Sequence, residues 1–139
     1  GQEDSGSMVE YGGYTYPTVS AYIFYADVGA ALEFVADAFG FTERMRNTNP
    51  DGSLSHCELA YGDSVIMLGS PPDYRNPAQL GAVTVGIHVH VDDVDAHYAR
   101  AVAAGATAER APVDMPYGVR SYAATDPEGH QWYFAQPLG

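Results

Sequence analysis

Residues 85–91 alternate. Val85, Ile87, Val89 and Val91 fall on one side of an extended chain, and Gly86, His88 and His90 on the other. Asp92 or Asp93 can then cap a helix, and Gly105 stands where a left-handed residue would end it. The same plan occurs earlier. Val19, Ala21, Ile23 and Tyr25 alternate with Ser20, Tyr22 and Phe24, and Asp27 is spaced from Gly40 as Asp92 is from Gly105. Two copies of strand, cap, helix and glycine stop, about 65 residues apart, form an internal repeat.

The rest of the chain fits that repeat. Strands are predicted over 18–25, 41–48, 54–61 and 64–69, with a helix over 28–39 whose apolar residues Val28, Ala31, Leu32, Val35, Ala38 and Phe39 share a face. Asn49-Pro50-Asp51-Gly52 and Gly62-Asp63 are turns. The second unit repeats the order, with a short strand over 107–110, a loop over 111–118 and strands over 119–124 and 130–135. The turn between those last strands is Asp126-Pro127-Glu128-Gly129. The organisation read from this is a lead-in and tag remnant over 1–17, a βαβββ module over 18–69, a proline-rich connector over 70–82 and a second βαβββ module over 83–137. The fold class is α+β, with two curved sheets around a cavity.

Each sheet then has two unlike faces. Ile23, Leu59, Ile66, Leu68, Ile87, Val89, Trp132 and Phe134 suit the side covered by a helix. Ser20, Tyr22, Phe24, His56, Glu58, Met67, Gly86, His88, His90, Arg120, Tyr122, Gln131 and Tyr133 would form the open side. That side is too polar for a core and too aromatic for a plain solvent face. Facing each other, two such surfaces would enclose an amphipathic cavity fit for an organic ligand.

Composition narrows the partners. The 139 residues are 46% hydrophobic with a net charge of −12. Such a charge repels nucleic acid and is compatible with a cationic partner. No apolar run approaches the roughly 18–20 residues of a membrane span. The single cysteine, Cys57, cannot pair within the chain, which fits a reducing cytoplasm. By alternation it is a small buried hydrophobe on the helix side.

Three stretches then carry a family resemblance. His56-Cys-Glu-Leu-Ala-Tyr-Gly-Asp-Ser-Val-Ile-Met-Leu68, His88-Val-His-Val-Asp-Asp-Val-Asp95 and Asp126-Pro-Glu-Gly-His-Gln-Trp132, set in paired βαβββ units, resemble the vicinal oxygen chelate superfamily of glyoxalases, bleomycin-resistance proteins and extradiol dioxygenases, and within it the PhnB-like branch. The resemblance implies a homodimer, with modules paired across chains in many members. It also implies metal ligands on the first and last strand of each unit. Those positions hold Ser20, Met67, Gly86 and Tyr133 here, none of them a normal ligand for the family's metals. No cofactor is therefore expected.

The reading that follows is a cytoplasmic, metal-independent protein that binds or sequesters a small aromatic natural product or antibiotic. Tyr22, Phe24, His56, Glu58, Met67, His88, His90, Tyr117, Arg120, Tyr122 and Tyr133 are the candidate ligand contacts. The alternative is a glyoxalase- or dioxygenase-like lyase or isomerase. It would use a divalent metal displaced onto His56, Glu58, His88 and His90, or acid–base chemistry with Glu58 as the best candidate base. The family fold is taken to put the His56 strand at the outer edge of its sheet, far from the first strand. Ion pairing of Glu58 with Arg120 or Arg46, a surface position for His97 and a turn-stabilising role for His130 complete the expectations.

Overall fold

The computed structural model describes residues 8–139. The segment read as a tag remnant, 1–7, lies outside the described residues. The lead-in is a hairpin. Strands β1 (Val9–Tyr11) and β2 (Tyr14–Tyr16) pair antiparallel around Gly12 and Gly13, whose φ values of 61° and 85° match the left-handed turn that hairpins favour.

The first unit is β3 (Ala21–Phe24), α1 (Val28–Phe39), β4 (Thr42–Thr48), β5 (Leu54–Tyr61) and β6 (Ser64–Gly69), in the sheet order β3-β6-β5-β4. The connector carries a short helix that its prolines conceal, α2 (Pro77–Leu80). It is started by an Asn76–Gln79 capping box with proline in the first turn. The second unit is β7 (Gly86–His90), α3 (Val94–Ala103), β8 (Val113–Asp114), β9 (Val119–Thr125) and β10 (Gln131–Pro137), in the order β7-β10-β9-β8. The chain over 107–110 makes only a bridge from Thr107 to Thr125, and the outer strand is β8 instead. Both first strands run parallel to the last strand of their own unit.

Asp27 and Asp93 cap the helices, accepting from the backbone N–H groups of Ala30 and Ala96. Helix α1 stops at Gly40, whose φ of 81° ends it in the left-handed conformation. The Arg100 guanidinium of α3 donates to the Ala36 and Asp37 carbonyls at that end, so a cation of one helix caps the C-terminus of the other.

The two modules share one core. Phe39 of α1 lies within ring contact of Trp132 and Phe134 of the second sheet, and all three are fully buried. His97 is buried in the same place, not at the surface. Its Nε2 donates to the Phe39 carbonyl at 2.8 Å and its Nδ1 accepts from the Tyr122 hydroxyl at 2.6 Å. The carbonyl can only accept, which fixes that tautomer. The turn between β9 and β10 ties the units together again. Asp126 accepts from Tyr25 Oη at 2.7 Å and Trp132 Nε1 at 3.0 Å, and Glu128 accepts from the amides of Ala26 and Asp27.

One strand has the opposite phase to that expected. Tyr122 pairs with Phe134, and Arg120 with Gln136, so both project to the helix side of the second sheet. Tyr122 is buried against α3, and Arg120 bridges Asp95 of α3 and Asp114 of β8. The open side of β9 carries Ser121, Ala123 and Thr125, whose small side chains show no hydrophobic alternation.

Candidate functional site

Register defines the open side of the first sheet. Tyr22, Met67 and Glu58 lie in one row across β3, β6 and β5, and Phe24, Gly69 and His56 in the next. Strand β5 is an inner strand, so only β6 separates Tyr22 from His56. The Tyr22 hydroxyl bonds His56 Nδ1 at 2.9 Å, and His56 Nε2 bonds Glu58 Oε2 at 3.0 Å. Tyr22 is 50% exposed, whereas Glu58 is 3% exposed. The phenol crosses β6 over Gly69, where a Cβ would stand 2.8 Å from its oxygen. Glycine there is what lets the ring reach His56.

The cation beside Glu58 is Arg44, not Arg120 or Arg46. Arg46 pairs with Glu43 through two short bonds. The β4–β5 register shifts between Glu43 and Met45, leaving Arg44 as an extra residue there. Its Nε lies 3.8 Å from Glu58 Oε1. Arg44 Nε and Nη2 and Glu58 Oε1 are buried without hydrogen-bond partners among the described residues. The hairpin covers this spot. Tyr14 and Tyr16 set their rings 5.0 and 4.7 Å from the Arg44 guanidinium carbon. Burial and the neighbouring Glu58 push the Tyr16 phenol up to about 12. The sequence shows Arg44, but nothing in the alternation announces a bulge that re-aims it.

The open side of the second sheet holds Gly86, His88, His90, Gln131 and Tyr133. Tyr133 is 43% exposed, and the His88 and His90 rings touch, with centroids 4.8 Å apart. Tyr117 is 71% exposed on the loop before β9, outside the strands that carry the open sides. Cys57 is buried on the helix side, and burial pushes its thiol up to about 11. His130 holds the β9–β10 turn through Asp126.

The positions at which the family resemblance implies metal ligands carry weak donors or none. Gly86 offers no donor, Met67 a thioether and Ser20 a hydroxyl. The Tyr133 ring lies so close over Gly86 that a Cβ there would be 2.7 Å away. The displaced set fares no better. Among the described residues no three His, Cys, Asp or Glu side chains are grouped to hold an ion.

A cavity of about 380 Å³ lies between β3, the connector and β7. Tyr22, Phe24, Tyr74, Val85 and Ile87 line its apolar wall, and Arg75 and Gln131 are polar groups on it. Its size and chemistry fit a compact organic molecule. Among the described residues no helix is long and apolar enough to cross a membrane.

Comparison with known proteins gives a consistent picture. A family model described as the Glyoxalase/Bleomycin resistance protein/Dioxygenase superfamily matches residues 17–134. The uncharacterized protein Mb0911c of Mycobacterium bovis is 35% identical over 128 residues, covering 88% of this chain and 84% of that protein. The crystal structure of TioX from Micromonospora sp. ML1 superposes with a TM-score of 0.71 at 29% identity, covering 86% of this chain and 97% of that one. TnmS3, an antibiotic binding protein from Streptomyces sp. CB03234, shares the fold with a TM-score of 0.62 at 23% identity, over 84% and 91% of the two chains.

Proposed function

The chain belongs to the glyoxalase/bleomycin-resistance/dioxygenase superfamily, and from that premise we propose that it is a metal-independent cytoplasmic protein that binds and sequesters a small aromatic natural product. The observation that carries this reading is the pair of open sheet faces. Tyr22 and Phe24 on one, and Tyr133 with His88 and His90 on the other, are large rings left in solvent beside a few polar groups. Such rings supply stacking area at little entropic cost, and the polar groups orient what they stack on. The donor chemistry at Ser20, Met67, Gly86 and Tyr133 argues for affinity from burial and stacking instead of from a metal.

The two helices and the shared core occupy the inner sides of both sheets, so the open sides are left for a second copy. In the proposed homodimer the first sheet of one chain faces the second sheet of its partner, and each cavity takes rings from both. The relation to TnmS3, an antibiotic binding protein by its description, is consistent with this but extends to fold alone.

The experiment joins light scattering on the purified protein to a thermal-shift panel of aromatic antibiotics, with and without added Ni²⁺, Zn²⁺ and Mn²⁺. A dimer stabilised by one class of compound irrespective of metal supports the reading. A monomer that no compound stabilises, or stabilisation by metal alone, overturns it.

A further inference from the structure

Tyr22, His56 and Glu58 are joined in a line: phenol oxygen to Nδ1 at 2.9 Å, then Nε2 to carboxylate at 3.0 Å. We propose that this line is a nucleophilic triad, in which the Tyr22 hydroxyl accepts acyl groups from esters or thioesters that reach the open side of the first sheet. The proposal goes beyond the binding role and does not depend on which natural product the cavity holds.

The order of the groups is that of an activated nucleophile: an exposed hydroxyl, a base within hydrogen-bond reach, and a third group that orients the base. Glu58 can only accept when ionised, so His56 Nε2 carries the proton and Nδ1 is left to accept from Tyr22. The carboxylate end is buried and the phenol end is open, which is the direction needed for a substrate to meet the oxygen and not the acid. Two backbone features build the line. Gly69 clears the path of the phenol across β6, and the bulge at Arg44 puts a guanidinium beside the buried carboxylate.

A second set of the same residue types gives a contrast. Tyr74 meets His130 Nε2 at 3.3 Å, and His130 Nδ1 meets Asp126 at 3.3 Å. There the carboxylate also holds Tyr25, Trp132 and the amides of Glu128 and His130. That set is a strut. The Glu58 carboxylate instead bonds His56 at 3.0 Å, with the Tyr16 phenol and the Arg44 guanidinium as its other polar neighbours.

In the first step the Tyr22 oxygen attacks the acyl carbon and its proton passes to His56 Nδ1. The imidazolium stays bonded to Glu58, and the leaving alkoxide or thiolate departs with the proton. In the second step water attacks the acyl-tyrosine, giving its proton to Nδ1. The carboxylic acid is released and the phenol restored.

The test uses the full chain and 4-nitrophenyl acetate, following 4-nitrophenolate release together with intact mass and peptide mapping. The chain has no lysine and its one cysteine is buried, so the competing acceptors are the N-terminal amine, the exposed imidazoles of His88 and His90 and exposed phenols such as Tyr117, which peptide mapping separates from Tyr22. The expected result is one acetyl per chain trapped on Tyr22 when the reaction is quenched in acid before the second step, ahead of any on the more exposed Tyr117. His56→Gln slows acetylation by about a hundredfold. Gly69→Ala, which touches none of the three groups chemically, does the same by displacing the phenol. Glu58→Gln lowers the maximal rate at an unchanged half-saturating ester concentration, and Glu58→Asp recovers part of it. Should Gly69→Ala unfold the chain, free imidazole remains decisive: it restores acetylation of His56→Gly and does nothing for Tyr22→Phe. Acetylation of Tyr22 no faster than that of Tyr117, acetylation at Tyr74 in its place, or a Tyr22 rate indifferent to His56→Gln overturns the triad.

Discussion

The Tyr133 ring lies over Gly86, leaving 2.7 Å between Tyr133 Cε2 and the point a Cβ on Gly86 would occupy. The two residues sit on neighbouring strands, at positions where the family resemblance implies metal ligands, and here they fill one another's space. The relationship predicts a coupling. Gly86 is not in the left-handed region, so alanine there should gain about 0.5–1 kcal/mol from a less free unfolded chain. In the native background that gain is offset by the collision with the ring. Gly86→Ala is therefore expected to leave stability unchanged or lower, and to become stabilising in a Tyr133→Ala background, a coupling of about 1 kcal/mol. Urea unfolding of the four proteins checks it. Equal effects of Gly86→Ala in both backgrounds would show that the ring does not rest there.

His97 gives the fold a dependence on mild acid. Burial lowers its pKa below the ordinary value, with Arg100 adding to the effect and the bond to the Phe39 carbonyl opposing it. Protonation would also turn Nδ1 from acceptor to donor against the Tyr122 hydroxyl. The unfolded chain therefore binds the proton more readily than the folded one. Stability from this group is complete above about pH 6.5 and declines as pH falls from there toward the folded pKa. The melting temperature of the native chain should drop between about pH 7 and pH 5 more steeply than that of His97→Gln. Parallel curves would place the acid sensitivity elsewhere.

Asp126 sets a second limb at lower pH. Burial alone would raise its pKa, but bonds from His130, Tyr25 and Trp132 outweigh it and hold the carboxyl below the usual carboxylate range. Its contribution is present above about pH 4 and is lost as pH falls through the depressed value. In Asp126→Asn the amide nitrogen must face either Tyr25 and Trp132, which share Oδ2, or the backbone amides of Glu128 and His130, which share Oδ1. The expected cost is about 2–4 kcal/mol, and the acid limb should flatten. A loss below about 0.5 kcal/mol would mean the turn is held by backbone bonds alone.

These groups show what was legible in the sequence. The caps and the glycine stop of α1, strands β5 and β6, and the burial of Trp132 and Phe134 follow from period and turn chemistry, which act locally. The phase of β9 did not, because its open side carries Ser121 and Ala123, and pairing with β10 fixes it. His97 looked like a polar residue on a helix surface. Only the contact of α3 with α1, a long-range event, encloses it. Tyr22, His56 and Glu58 were each visible as open-side residues, but their alignment depends on β5 being an inner strand and on the space above Gly69. Tyr122, read as a ligand contact, is a core residue. Tyr122→Phe should cost about 1 kcal/mol through loss of its bond to His97.

The Arg44–Glu58 pair yields the sharpest energetic test. Two unlike charges are buried under Tyr14 and Tyr16, close enough to attract, yet with three of their atoms unbonded. Removing only the cation leaves a carboxylate in a desolvated place, with only the uncharged Tyr16 phenol and His56 beside it. Arg44→Met should therefore destabilise by about 3–5 kcal/mol. Removing both charges takes away the desolvation cost along with the attraction. Arg44→Met combined with Glu58→Gln should be more stable than Arg44→Met alone, although each single change lowers stability. Chemical unfolding of the native, two single and double variants measures the coupling. Strictly additive losses would mean that the two charges do not interact beneath the hairpin, and that Tyr14 and Tyr16 hold Arg44 for its stem and not for its charge.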